Sequence, residues 1–166
     1  VTTMTAVIAL GTHIGMTDEA LAKHLGYGEG GLEGTYPGMT VINHEWSKPE
    51  TFVTLGTISA ERVSELSGGL LAVPAEVALN RAVVDHDVVL VIGPVFPHEV
   101  VGFSGGNKYF FPGIAGQQII DLTHWVGALI TSAQIIGTLG ITPVRALINE
   151  AAALIAHATN EVIAIY

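Results

Sequence analysis

The side chains best suited by type and setting to do chemistry are His13, His98, Lys108 and His124. His13 closes GTH, directly after the apolar run TAVIAL, and His98 closes GPVFPH, shortly after VVLVIG. Ligands of open α/β sheets bind beyond the carboxyl ends of strands, so both imidazoles stand where acid–base work is done. Lys108 lies in FSGGNKYFFPGIAG (Phe103–Gly116). There Ser104, Gly105 and Gly106 let backbone N–H groups approach an anion. The lysine offers a positive charge or, desolvated among Tyr109, Phe110 and Phe111, a nucleophilic amine. The block is not the phosphate loop GxxxxGK[ST], because Tyr109 follows the lysine, and it is not GxGxxG. His124, in DLTHW, falls on a helix or at its end, and a neutral imidazole suits nickel, copper, iron or zinc. No HExxH and no paired His/carboxylate spacing completes a metal site, so a metal here would draw most of its ligands from elsewhere. Each residue alone has a plainer reading: a loop histidine with a local hydrogen bond, a solvated lysine, a helix histidine. His44, in NHEW, is the weakest further candidate, and His24, His86 and His157 read as surface residues.

The elements that must position these groups alternate. Strands are expected near residues 5–10, 39–43, 51–58, 88–92 and 161–165, from β-branched and apolar runs. VVLVIG, wholly apolar, reads as a central strand buried on both faces. LLAVPAEVAL is ambiguous, because Pro74 argues against a central strand. Thr17 caps a helix that opens on Asp18 and Glu19 and closes at Gly26. A glycine-rich mobile loop follows to Gly38. Further helices are expected over 60–66, 117–130 and 143–157, with a long special loop over 94–116. The alternation predicts a three-layer α/β domain with a mainly parallel, Rossmann-like sheet. The chain opens and stops in strands, so it reads as an incomplete domain.

Composition excludes several classes. A net charge of −9, from 6 Lys+Arg against 15 Asp+Glu, offers no basic stripe for nucleic acid and no cluster for anionic lipid. With no cysteine there is no disulfide, thiolate site or Cys nucleophile, which fits a cytoplasmic setting. Hydrophobic residues make up 49% and charged residues 13%, which rules out a disordered tail. The stretch from Leu122 to Val144 has the length of a membrane span, but its His, Ser, Gln, Thr, Gly and Pro residues read as a buried helix and loop. A piece this apolar is expected to expose surface and to hide it by self-association into a homo-oligomer.

Together these residues resemble the N-terminal domain of the lactate racemase family, the nickel-pincer-nucleotide enzymes. The family's PH…AGFSGG(R)K…PGIAG…H stands here as PHEVVGFSGGNKYFFPGIAGQQIIDLTH, and its GTH(R)PMT stands as GTHIGMT. The likeness runs from TAVIALGTH to NEVIAI. It implies a 2-hydroxyacid racemase or epimerase acting by hydride transfer, with a nickel-pincer nucleotide tethered to Lys108. His124 would be the protein's nickel ligand, His13 and His98 the acid–base pair, and Ser104, Gly105 and Gly106 part of the cofactor-binding turn. Residues 1–166 would then be a fragment of the N-terminal catalytic and cofactor domain, without the family's upstream segment and C-terminal domain. Such a piece is expected to be inactive and without cofactor. The family's arginines after the GTH histidine and before the lysine are Ile14 and Asn107 here, which points away from lactate toward a different 2-hydroxy acid or a polyol acid. A catalytically silent relative that only binds a nucleotide or metal remains the alternative.

Overall fold

The structure, a computed structural model, describes residues 3–158 and 161–165. Strands are β1 (Met4–Ile8), β2 (Met39–Asn43), β3 (Phe52–Ile58), β4 (Ala75–Asn80), β5 (Val88–Ile92), β6 (Pro97–His98), β7 (Gly102–Phe103) and β8 (Glu161–Ile165). Helices are α1 (Asp18–Leu25), α2 (Gly31–Thr35), α3 (Ala60–Leu66), α4 (Gln117–Ile130), α5 (Ser132–Ile135) and α6 (Pro143–Ala153). The fold is α/β. Pairs β1–β2 and β5–β8 are parallel, and β3–β4 and the short β6–β7 hairpin are antiparallel.

Local chemistry explains the helix ends. The Thr17 hydroxyl accepts the Ala20 N–H, acids fill the first turn of α1, and Gly26 ends it at φ 72°, a left-handed conformation that favours glycine. Thr142 caps α6 by accepting the Arg145 N–H, with Pro143 in the first turn. The expected helix over 143–157 breaks at Leu154 into a 3-10 turn. α4 spans the residues expected of it, and Thr131 then turns the chain at φ 81°. Among the described residues no helix is long and apolar enough to cross a membrane. The loop after α1 is not wholly irregular, since it holds α2.

The core lies between β3–β4 and helices α3, α4 and α6. Phe111, Leu79, Ile119, Val126, Val144 and Ile148 are among its fully buried members. Truncating a buried phenylalanine such as Phe111 to alanine costs about 3–5 kcal/mol. Two expectations are corrected here. LLAVPAEVAL contains a buried strand, β4, because Pro74 sits just before it and takes no ladder donor away. β5 is not buried on both faces. Val91 is 7% exposed, but Val88, Leu90 and Ile92 are 51–68% exposed. One face packs on the core; on the other, nothing among the described residues covers the alternate side chains.

A candidate cofactor and acid–base site at the strand ends

The loop from β5 to α4 is built on close approaches. Gly105, at φ 81°, passes Val95 so tightly that a Cβ would lie 2.4 Å from its side chain. At Gly116 a Cβ would stand 2.8 Å from the Ala78 Cβ. Segment 114–116 thereby lies along β4, with Asn80 N–H donating to the Ile114 carbonyl and Gly116 N–H to that of Ala78. Gly105, Gly113 and Gly116 are thus packing requirements. Phe110 and Phe111 belong to the core, while the Tyr109 hydroxyl donates to the Pro94 carbonyl.

His98, Lys108 and His124 share one electrostatic neighbourhood. The His98 imidazole is 18% exposed. Burial first, then the charges of Lys108, His124 and Arg145, hold it below the usual histidine value against an opposing pull from Glu99. Its Nδ1 accepts the Val100 N–H at 3.1 Å, which places the neutral ring's proton on Nε2. The Glu99 carboxylate stands 3.7 Å from the same nitrogen, beyond hydrogen-bond reach. The Lys108 amine is pushed below the ordinary lysine range by burial, with Glu99 opposing and Arg145 assisting. His124, on α4, has Nδ1 2.7 Å from the Ile120 carbonyl. A carbonyl only accepts, so Nδ1 carries the proton and the Nε2 lone pair is presented outward, as a metal-ligating imidazole requires. His124 also borders an open, apolar groove of about 670 Å³ shared with Leu71, Val73, Pro74, Leu122 and Trp125.

His13 comes from a different loop. It is exposed on a turn after β1, and makes no side-chain hydrogen bond or ion pair among the described residues. Its turn meets the glycine-rich loop through backbone: Gly11 N–H donates to the Gly113 carbonyl at 2.7 Å, and Gly113 N–H to the Lys108 carbonyl at 3.2 Å. Asn43, at the end of β2, grips both backbone groups of Met16, at 3.0 and 2.9 Å, and so fixes the segment that follows His13. Ser104 is buried with its hydroxyl committed, accepting the Phe96 N–H and donating to the Pro94 carbonyl. Its backbone N–H is spent as well, donating to the Phe96 carbonyl at 2.8 Å, so the expectation that Ser104 turns an N–H toward an anion is corrected here. Asn107 donates from its side chain to Asn149, and Ile14 is 94% exposed.

Other histidines behave differently from their sequence reading. His44 is buried, donating from Nε2 to the Ala115 carbonyl, accepting from the Asn80 amide at Nδ1, and edge-on to Phe52. Burial lowers its pKa. It is a tie between loops. His86 is half-buried rather than on the surface, bridging the Ala82 carbonyl and the Thr5 hydroxyl. His24 is exposed as expected, and the side chain of His157 lies outside the described residues. Sequence reasoning missed Glu99, although it adjoins His98 in PHEV, and Arg145, whose partners lie some forty positions away.

A family model for the lactate racemase N-terminal domain matches residues 2–137. The chain belongs to the lactate racemase N-terminal domain family. The lactate racemase of Thermoanaerobacterium thermosaccharolyticum is 33% identical over 119 residues, which are 71% of this chain and 23% of that protein. A crystal structure of a Thermotoga maritima protein, 32% identical, superposes with a TM-score of 0.85 over 98% of this chain and 38% of that one. The lactate racemase apoprotein of T. thermosaccharolyticum, at 21% identity, superposes at 0.66 over 98% of this chain and 34% of that one, and supports the fold. This chain thus spans under a quarter of its curated relative's length and under two-fifths of each solved structure.

Proposed function

We propose that this chain is the cofactor-holding part of a 2-hydroxyacid racemase or epimerase, working in the cytoplasm with a nickel-pincer nucleotide. The observation that carries the reading is the convergence of His98, Lys108 and His124, each prepared differently. The half-buried Lys108 amine fits a covalent tether, because its lowered pKa leaves more of it unprotonated and nucleophilic. His124 fits a single metal ligand, its Nδ1 proton spent on Ile120. Among the described residues no group of three or more His, Cys, Asp or Glu could hold a metal ion, so the remaining donors would come from the bound nucleotide. When bound, that group supplies a pyridinium-type ring able to take hydride from the α-carbon and return it.

The protein's own part is orientation and proton handling. In its resting tautomer His98 offers Nε2–H as a hydrogen-bond donor to the substrate oxygen. To take the hydroxyl proton at Nε2 it must first carry its own proton on Nδ1, and the Val100 N–H then loses its acceptor. His13 has no such constraint, which suits it to act as the base from the other side. Residues 1–166 act here with further parts of the same protein, including a C-terminal domain. Ile14 and Asn107 take the places of two family arginines, which favours a substrate other than lactate. The same two positions support the second reading, a relative that binds the nucleotide and does not turn over.

The test uses the longer parent protein, expressed beside the enzymes that make the nucleotide. Intact mass should show an adduct that Lys108→Ala abolishes, and His124→Ala should keep the adduct and weaken nickel. Interconversion of a 2-hydroxy acid is then followed from each enantiomer, with His13→Ala and His98→Ala each slowing both directions by about 10²-fold or more. Parent-like turnover in both directions by His98→Ala would sink the two-base assignment. An adduct without any interconversion would favour the silent relative.

A further inference from the structure

α6 does more than fill the core. Its cap residue, Thr142, is buried, accepts the Arg145 N–H at 3.1 Å and donates its hydroxyl to the Val101 carbonyl at 3.2 Å. The first turn of α6 is thereby bolted to the residue that precedes β7. From that turn Arg145 reaches the glycine-rich segment. Nη1 donates to the Gly105 carbonyl at 3.1 Å, and Nη2 to the Phe103 carbonyl, with a longer contact of 3.4 Å to that of Ser104. The Gly105 carbonyl that receives Nη1 also accepts the Lys108 N–H, at 3.2 Å. One guanidinium thus gathers three successive carbonyls and shares an acceptor with the lysine backbone.

We propose that Arg145 is the positioning residue of this turn, its planar fork holding the carbonyls of Phe103, Ser104 and Gly105 and so fixing where the Lys108 amine stands. The proposal deepens the reading of Lys108 as a tether and rests on it for its functional meaning. Arg145 lies outside residues 2–137, the span matched by the family model. Only a fork with several donors in one plane serves such a cluster; a lysine ammonium, a point charge on a flexible stem, does not. The charge has a second consequence. The groups facing the Lys108 amine are His98 and Glu99 from the β6–β7 hairpin, Arg145 from α6 and, at the margin, His124 from α4. Arg145 is the permanent cation among them, and it opposes protonation of the amine.

The experiment uses the longer parent protein with two substitutions, Arg145→Lys and Arg145→Gln. Amide hydrogen exchange is read at Ser104 and Lys108, and at Leu79 and Val126 as core references. Acylation of Lys108 by acetic anhydride is followed against pH, with Lys23 as internal reference. Arg145→Lys should speed exchange at Ser104 and Lys108 at least tenfold while leaving the core references within twofold. Arg145→Gln should do the same and also move the acylation midpoint of Lys108 to higher pH, a shift that Arg145→Lys lessens because it keeps the charge. Loop exchange within twofold of the parent, or exchange that rises equally in loop and core, overturns the proposal. So does an acylation midpoint that Arg145→Gln leaves in place. If Arg145→Gln does not fold, Arg145→Lys alone decides by the exchange criterion. Failure to find an adduct on Lys108 in the longer protein would defeat the tether reading and leave these results standing.

Discussion

Thr142→Val removes a hydroxyl and keeps the shape of the side chain. Two hydrogen bonds go with it: the cap on the Arg145 N–H and the donation to the Val101 carbonyl. Loss of a threonine cap costs about 1 kcal/mol. Val101 is 2% exposed, so its carbonyl is left without a donor in a buried place, which costs about 1–3 kcal/mol more. The sum is about 2–4 kcal/mol. For a chain of this size each kcal/mol moves Tm by about 2–4 °C, so the expected fall is about 4–16 °C. Thermal unfolding followed by circular dichroism measures it. Thr142→Ser is the companion variant, because it keeps both bonds and loses only a methyl group. A Thr142→Val protein within 2 °C of the parent, or a serine variant as damaged as the valine one, would refute this account of the start of α6.

The His98 ring should titrate below the ordinary histidine value in an NMR titration, and Lys108→Met should raise its midpoint by removing a neighbouring positive charge; an unchanged midpoint would argue against their proximity. Gly116→Val should cost about 1–3 kcal/mol or more in urea unfolding, since even a Cβ would stand 2.8 Å from that of Ala78, and a neutral result would mean that segment 114–116 does not lie against β4. Burial, the leading cause for each, holds both His44 and His98 below the usual histidine value in the folded chain. The unfolded chain takes up protons at these positions as pH falls through about 6.5 and the folded chain does so only lower, so stability should drop across that window and be unaffected by them above it. His98→Asn should lessen the drop between pH 7 and 5.5; an equal slope in parent and variant would count against a depressed His98.

What the sequence revealed was local. Thr17, Asp18 and Gly26 announced α1, and the block around Lys108 announced a special loop, because caps and glycine turns act within a few residues. β5 misled for a physical reason: VVLVIG has the same composition whether one face or both are covered, and coverage is decided by distant chain. Pro74 misled by one position, a distinction that rests on where the ladder begins. At the site, the histidines and the lysine were legible by type. The groups that hold them were not. Asn43 grips Met16 twenty-seven positions away and Arg145 reaches Phe103 across forty-two, and neither pairing leaves any periodicity to read.

Asn43 and His44 are adjacent, yet each secures a different loop: one the segment after His13, the other the segment after Lys108. The span between those loops is therefore gauged by a single peptide unit at the end of β2. Residues next to each other on a strand face opposite ways, so sliding β2 by one position against β1 would hand each loop the wrong partner. Anyone transplanting this pair of loops onto another scaffold would have to carry the last turn of pleat with them. Redesigning either loop alone would work against an anchor that the other loop has already set.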